Sequence, residues 1–110
     1  MNGVVLTPHA KARLDDILAY TADAFGDAQA VAYHDALFAR LAALAEGRPP
    51  HGRPCRVLVR GPAPEGLLYM REGGHFIVCV KTDDGVTVID FIHQKRDLPA
   101  LIASLSVDGG

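Results

Sequence analysis

The chain has 110 residues, of which 49% are hydrophobic and 22% charged, and its formal net charge at pH 7 is −2. This length predicts one globular domain over residues 1–110, and the composition excludes an intrinsically disordered chain. No apolar run approaches the roughly 20 residues of a membrane span and no secretory signal is visible, so we expect a cytoplasmic protein without a membrane partner.

The first half of the sequence predicts a short strand followed by two helices. Val4–Leu6 forms the strand, and Thr7 caps a helix whose first residue is Pro8. Apolar positions recur at helical spacing at Ala10, Leu14, Ile17, Leu18, Thr21 and Phe25. Gly26 ends this helix and Asp27 caps the next. The second helix ends at Gly47 and repeats the pattern at Val31, His34, Leu37, Phe38, Leu41, Leu44 and Ala45. We therefore expect an antiparallel helical hairpin, in which His34 is a core histidine and Tyr20 and Tyr33 are helix-packing residues.

The second half predicts a small sheet. Gly47–Pro54 is broken by proline and glycine, and Cys55–Arg60 alternates as a strand with arginines on one face. Three further strands with short turns follow at Leu67–Arg71, His75–Lys81 and Val86–His93. The last two are apolar on both faces, which indicates a central position with the helices covering one side. A short helix or turn at Ala100–Leu105 precedes a frayed tail at residues 106–110.

Arginines are concentrated in residues 47–71, where Glu65 is the single acidic residue. This group comprises Arg48, Arg53, Arg56, Arg60 and Arg71. Guanidinium groups bind carboxylates and phosphates, although by themselves these arginines are better explained as a solvated strand face and loop. A nucleic-acid-binding domain is usually basic overall, and this chain is not. Cys55 and Cys79 lie in apolar runs typical of reduced core residues, and the absence of a Cys/His cluster argues against a metal site.

A polar cluster follows the last strand: His93, Gln94, Lys95, Arg96 and Asp97. His93 is interpreted either as a strand-end histidine bonded to the following turn or as an acid–base group, because histidine titrates near neutral pH. Arg96 and Asp97 either pair with each other or cap the last helix.

Three segments in this order resemble the RelE/ParE superfamily of toxins: LDDI-x-x-Y in the first helix, FG followed by A-x-x-Y in the second, and the closing IH-x-x-RDLP. The resemblance covers nearly the whole chain. It implies an α+β fold of order β-α-α-β-β-β, in which the helical hairpin packs on a small, mainly antiparallel sheet. It also implies a type II toxin without a cofactor. A small antitoxin, ParD-like or other, is expected to neutralise the toxin in a hetero-oligomer, and the toxin is expected to contact DNA only through this antitoxin.

The superfamily has two functional branches. RelE-like members are ribosome-dependent mRNA endonucleases, and in that alternative His93 is the acid or base while Arg56 and Arg71 hold phosphate. ParE-like members inhibit DNA gyrase and have no known hydrolytic site. The acidic net charge and Asp90 in the last strand favour the ParE branch, which predicts no catalytic residue.

Antitoxin or target contacts are then expected at Arg56, Arg60, Arg71, His93 and Arg96. A third interpretation is an inactive toxin fold retained as a co-repressor. It stays open because Cys79-Val80 and Asp90 depart from the usual pattern of the superfamily.

Overall fold

The computed structural model describes residues 3–49, 51–59 and 65–108. Its elements are β1 (Val4–Leu6), α1 (Pro8–Phe25), α2 (Asp27–Ala45), β2 (Arg53–Pro54), a 3-10 helix (Cys55–Leu58), β3 (Leu67–Glu72), β4 (His75–Thr82), β5 (Gly85–His93) and α3 (Leu98–Asp108). This order confirms the α+β fold predicted from the sequence, with β2 as an added two-residue strand. None of the helices in these residues is long and apolar enough to cross a membrane.

The helical hairpin begins and turns where the sequence predicts. The Thr7 side chain accepts a hydrogen bond from the Ala10 N–H at 3.1 Å, and Pro8 is the first helical residue. Gly26 separates the helices with φ of 97°, a conformation that favours glycine. The predicted capping role of Asp27 is wrong. The Gly26 carbonyl already accepts the first bond of α2, which places Asp27 inside the first turn.

The sheet has the strand order β1-β5-β4-β3-β2. β1 runs parallel to β5, and the other neighbours are antiparallel. An irregularity between Val78 and Cys79 leaves Ile89 of β5 without a partner, as in a β-bulge. The central positions of β4 and β5 agree with their apolar character on both faces.

Each face of the sheet carries its own apolar cluster. The α1–α2 face buries Leu14, Leu37, Leu41, Ile77 and Phe91. The opposite face buries Cys55, Val78, Ile92, Leu98 and Ile102. The cover on the second face, which the sequence left open, is therefore supplied by the 3-10 helix and α3. The backbone of α3 is helical to Asp108, and residues 109–110 of the expected tail lie outside the described residues.

The strand predicted at Cys55–Arg60 is wrong. Arg53 and Pro54 pair with β3, and the chain then forms a 3-10 helix. Residues three apart eclipse on such a helix, so Cys55 is buried and Leu58 half-buried. The alternating Val57 is instead 66% exposed. Arg60 lies outside the described residues.

Helical spacing overstated the buried surface where α1 meets α2. Tyr20, Phe25 and Val31 are exposed at 69%, 68% and 60% because no described element covers them. His34 is also exposed, with Nδ1 3.1 Å from Asp35 Oδ1, so its predicted core position is wrong. Tyr33 is half-buried against the core, and its hydroxyl contacts the β3–β4 turn.

Candidate functional site

Two histidines face each other where β4 begins and β5 ends. His75 and His93 are cross-strand partners, and their ring centroids are 5.3 Å apart with the planes at 86°. The Gln94 N–H donates to the Gly74 carbonyl at 2.8 Å, so the two histidines occupy a non-hydrogen-bonded pair, the type with the closest side chains. We call them the histidine pair.

Tyr33 of α2 fixes one member of this pair. Its hydroxyl lies 2.6 Å from the Glu72 carbonyl oxygen and 2.8 Å from His75 Nδ1. Burial, with the charge of Glu72, raises the pKa of Tyr33, whereas burial and the neighbouring His93 lower the pKa of His75. A Cβ on Gly73 would lie 2.8 Å from the Tyr33 ring, so the turn needs glycine for this approach.

An ion pair holds α2 to the same turn. Arg40 Nε lies 2.8 Å from Glu72 Oε1, with both side chains partly buried. Glu72 thus binds α2 twice, through its carboxylate to Arg40 and through its carbonyl to Tyr33. The position of the histidine pair is therefore set by the β3–β4 turn and by α2 together.

Arg71 lies on the other side of the sheet. Its Nε donates to the Gly73 carbonyl at 3.1 Å, and its guanidinium also bonds to the Gln94 side-chain oxygen. Alternation along β3 places Arg71 on the α3 face with Tyr69, which packs in that cluster. The ring of His93 lies against His75 on the helical-hairpin face, so the sheet separates it from Arg71.

The turn after β5 is held by local hydrogen bonds. His93 Nδ1 accepts the Lys95 N–H at 3.1 Å, and the His93 carbonyl accepts the Arg96 N–H at 2.9 Å. Asp97 Oδ1 accepts the Ala100 N–H at 3.1 Å, which confirms that it caps the last helix. His93 thus has the contact expected of a strand-end histidine bonded to the following turn.

An open groove of about 790 Å³ runs from α1 and the start of α2 to the histidine pair. Its wall on the helices includes the exposed rings of Tyr20 and Phe25. On the β5 side, Asp90 lies 3.4 Å from Arg13 Nε and 3.2 Å from His9 Nε2. The acidic group that was unusual in the last strand is therefore paired with α1.

Among the described residues, the cysteines and the acidic groups do not form a metal-ligand set. No three His, Cys, Asp or Glu side chains in the described part of the chain are grouped to hold a metal ion. Cys55 and Cys79 are buried free thiols. Burial raises the pKa of Cys55 to about 11 and that of Cys79 to about 12, so neither is an activated nucleophile.

The sequence matches the family model described as the ParE toxin of the type II toxin-antitoxin system, parDE, over residues 4–98. The chain belongs to the ParE toxin family. Among similar solved structures is the chromosomal ParDE TA system from P. aeruginosa, at a TM-score of 0.61 and 14% identity. That match covers 84% of this chain and 96% of the other, and at this identity it establishes the fold alone. No significant match was found among curated proteins.

The predicted contact residues of this ParE-family chain are only partly gathered. His93 and Arg96 line the groove, and Arg71 reaches the same sheet end from the opposite face. Arg56 is exposed on the 3-10 helix, and Arg60 lies outside the described residues. Their roles as contacts stay predictions.

Sequence reasoning missed the partner of His93. His75 was assigned only as the first residue of a strand, and Tyr33 as a helix-packing residue and the tyrosine of the A-x-x-Y segment. That segment was the signal for Tyr33, whereas the contact between Tyr33 and His75 beside the Gly73-Gly74 turn forms only when α2 packs on the sheet.

Proposed function

We propose that this chain is the toxin of a type II pair, that it inhibits DNA gyrase by binding, and that a cognate antitoxin neutralises it through the groove. The observation that carries the proposal is the open groove with exposed aromatic walls in a chain of the ParE family. The solved relative, described as a ParDE system, is consistent with a toxin–antitoxin complex.

The groove suits an amphipathic protein segment. Tyr20 and Phe25 are more than two-thirds exposed, and burial of such side chains stabilises a complex by about 1.5–3 kcal/mol each when complete. Apolar anchors on one face of a helix commonly dock in grooves of this kind. We propose that the antitoxin segment covers these two rings.

The geometry also favours binding over chemistry. Cleavage of RNA without a metal needs an acid, a base and cations directed at one phosphate. Here Arg71 and the His93 ring lie on opposite faces of the sheet, and His93 Nδ1 is occupied by the Lys95 N–H. This arrangement gives the endonuclease alternative little support and leaves gyrase as the proposed target.

A gyrase assay tests the target. Purified chain is added to gyrase and plasmid, and both supercoiling and cleaved DNA are followed. We expect inhibition of supercoiling with accumulation of cleaved DNA, reversed by the antitoxin. Folded, antitoxin-binding protein that leaves both activities unchanged would refute gyrase as the target.

Substitution in the groove tests the antitoxin site. We expect the double variant Tyr20→Ala and Phe25→Ala to bind the antitoxin at least about 30-fold more weakly, because two anchors worth about 1 kcal/mol or more each are removed. Val57→Ala is the matched control, since Val57 is 66% exposed and does not line the groove. Equal affinities of the two variants would place the antitoxin elsewhere.

A further inference from the structure

The hydrogen-bond pattern fixes which ring nitrogen of His75 carries its hydrogen. The Tyr33 hydroxyl has one hydrogen, and the Glu72 carbonyl at 2.6 Å can only accept. The contact of 2.8 Å between Tyr33 and His75 therefore requires that His75 Nδ1–H is the donor. Neutral His75 consequently keeps a lone pair on Nε2, which has no hydrogen-bond partner among the described residues.

His93 is held in the other tautomer. Its Nδ1 accepts the Lys95 N–H, so the hydrogen of the neutral ring is on Nε2. Protonation of His75 at Nε2 costs no hydrogen bond, so this atom can accept a proton while the contact with Tyr33 is kept.

The sheet end beside the pair has a surplus of positive charge. Neither Lys95 nor Arg96 has a salt bridge within the described residues. The two nearby carboxylates already have partners, because Glu72 pairs with an arginine of α2 and Asp97 caps α3. An anionic group entering this end meets cations, and the two carboxylates beside them already have partners.

The opposite wall of the groove decides which anion fits. There α1 contributes Asp16, which has no partner in the described structure, and Arg13, which is paired with Asp90. The adjoining Ile17, Tyr20 and Phe25 are apolar. A nucleic-acid backbone, with a phosphate at every nucleotide, would meet Asp16 and this apolar wall. An amphipathic protein segment with a single carboxylate at the sheet end matches both the positive charge there and the apolar wall.

We propose that His75, His93 and Arg96 form a carboxylate-binding point for the antitoxin segment, and that its occupation is coupled to uptake of one proton at His75 Nε2. This inference rests on the proposed function. The proton adds to the imidazole and forms an imidazolium that donates to the carboxylate; no covalent bond of either protein changes.

Proton uptake gives the complex a defined pH dependence. Burial and His93 lower the pKa of His75 in the free chain, so the ring is neutral near pH 7. The bound carboxylate favours the charged form and raises that pKa. The complex then holds more protons than its separated components, and affinity rises as pH falls, towards a limit of about tenfold for each unit of pKa change once the pH lies below both pKa values.

The test is calorimetric titration of the full chain with its proposed cognate antitoxin, at pH 8 and pH 6 and in two buffers of different ionisation enthalpy. We expect binding to be several-fold tighter at pH 6 than at pH 8 for a one-unit pKa change, approaching about tenfold only at lower pH, with net proton uptake. His75→Asn keeps a donor towards Tyr33 but does not titrate, and should lose both effects. His34→Asn is the matched control on the exposed face of α2 and should retain them.

The outcomes separate the two claims. Absence of binding at either pH by folded protein would refute the antitoxin proposal itself. Tight binding that is independent of pH, or whose pH dependence survives in His75→Asn, would overturn only the proton-linked site. A single-stranded RNA oligonucleotide that competes for the groove more strongly at pH 6 would assign the site to phosphate and also overturn it.

Discussion

Removal of one hydroxyl group measures how firmly α2 holds the β3–β4 turn. In Tyr33→Phe the ring remains, while the bonds of 2.6 Å to the Glu72 carbonyl and 2.8 Å to His75 are lost. A hydrogen bond contributes about 0.5–1.5 kcal/mol net, so two contribute about 1–3 kcal/mol. Because Tyr33 is half-buried and water reaches part of the site, we expect a loss of about 1.5 kcal/mol.

Urea unfolding followed by circular dichroism gives this quantity. With a slope of about 1.5 kcal/mol/M for a chain of this size, the midpoint should fall by about 1 M. Tyr20→Phe is the matched control, because the Tyr20 side chain is 69% exposed and has no hydrogen bond in the described structure. It should shift the midpoint by less than about 0.3 M. Equal shifts in both variants would refute the assigned contacts.

Three further outcomes follow from burial and charge. The pKa of His75 is lowered in the folded state, so the unfolded chain takes up a proton first and stability should fall as pH drops below about 6.5, with a smaller fall in His75→Asn; parallel pH profiles by urea unfolding would contradict this. Cys55 and Cys79, with pKa values raised to about 11 and about 12, should not react with a thiol reagent at pH 8 in the native protein but should react in urea, and rapid native labelling would show that the thiols are accessible. Ile102→Ala should cost about 2–5 kcal/mol because Ile102 is fully buried under the sheet, against less than about 0.5 kcal/mol for the exposed Val57→Ala; similar costs would mean that α3 is not docked as described.

The sequence was sufficient wherever the structure depends on neighbouring residues. Thr7 and Pro8 start α1 through a side-chain cap and a fixed φ, and Gly26 ends it, so those boundaries were confirmed. The turns at residues 73–74 and 83–84 likewise separated β3, β4 and β5 at nearly the predicted positions. These features depend on residues that are close together in the chain, so a single sequence is enough to predict them.

The register of the histidine pair is not local. Counting back from the turn, Lys81 pairs with Val86, which would put His75 opposite Ile92. The bulge shifts the pairing by one residue, and His75 meets His93 instead. Nothing in the alternation of two strands that are apolar on both faces indicates where the extra residue lies. The pair therefore had to be found in the structure.

The remaining errors come from short patterns. Alternation over Cys55–Arg60 is compatible with a strand, but Cys55 and Leu58 also have the three-residue spacing of a 3-10 helix. Helical spacing likewise marked Phe25 and His34 as buried, although burial depends on whether another element lies above them. Periodicity indicates which face of a helix is apolar and not how far its cover extends.

The position of β5 between β1 and β4 has a consequence for synthesis of the chain. Thr7, next to β1, bonds to the Ile89 carbonyl across 82 positions of sequence, so the first strand has no partner until β5 has been made. Contacts of such long range slow folding and must wait for the late part of the chain. Nascent chains that end before residue 85 lack the strand against which α1 and β1 pack. Ribosome-bound fragments should therefore be protease-sensitive, and folding should follow release of nearly the whole chain.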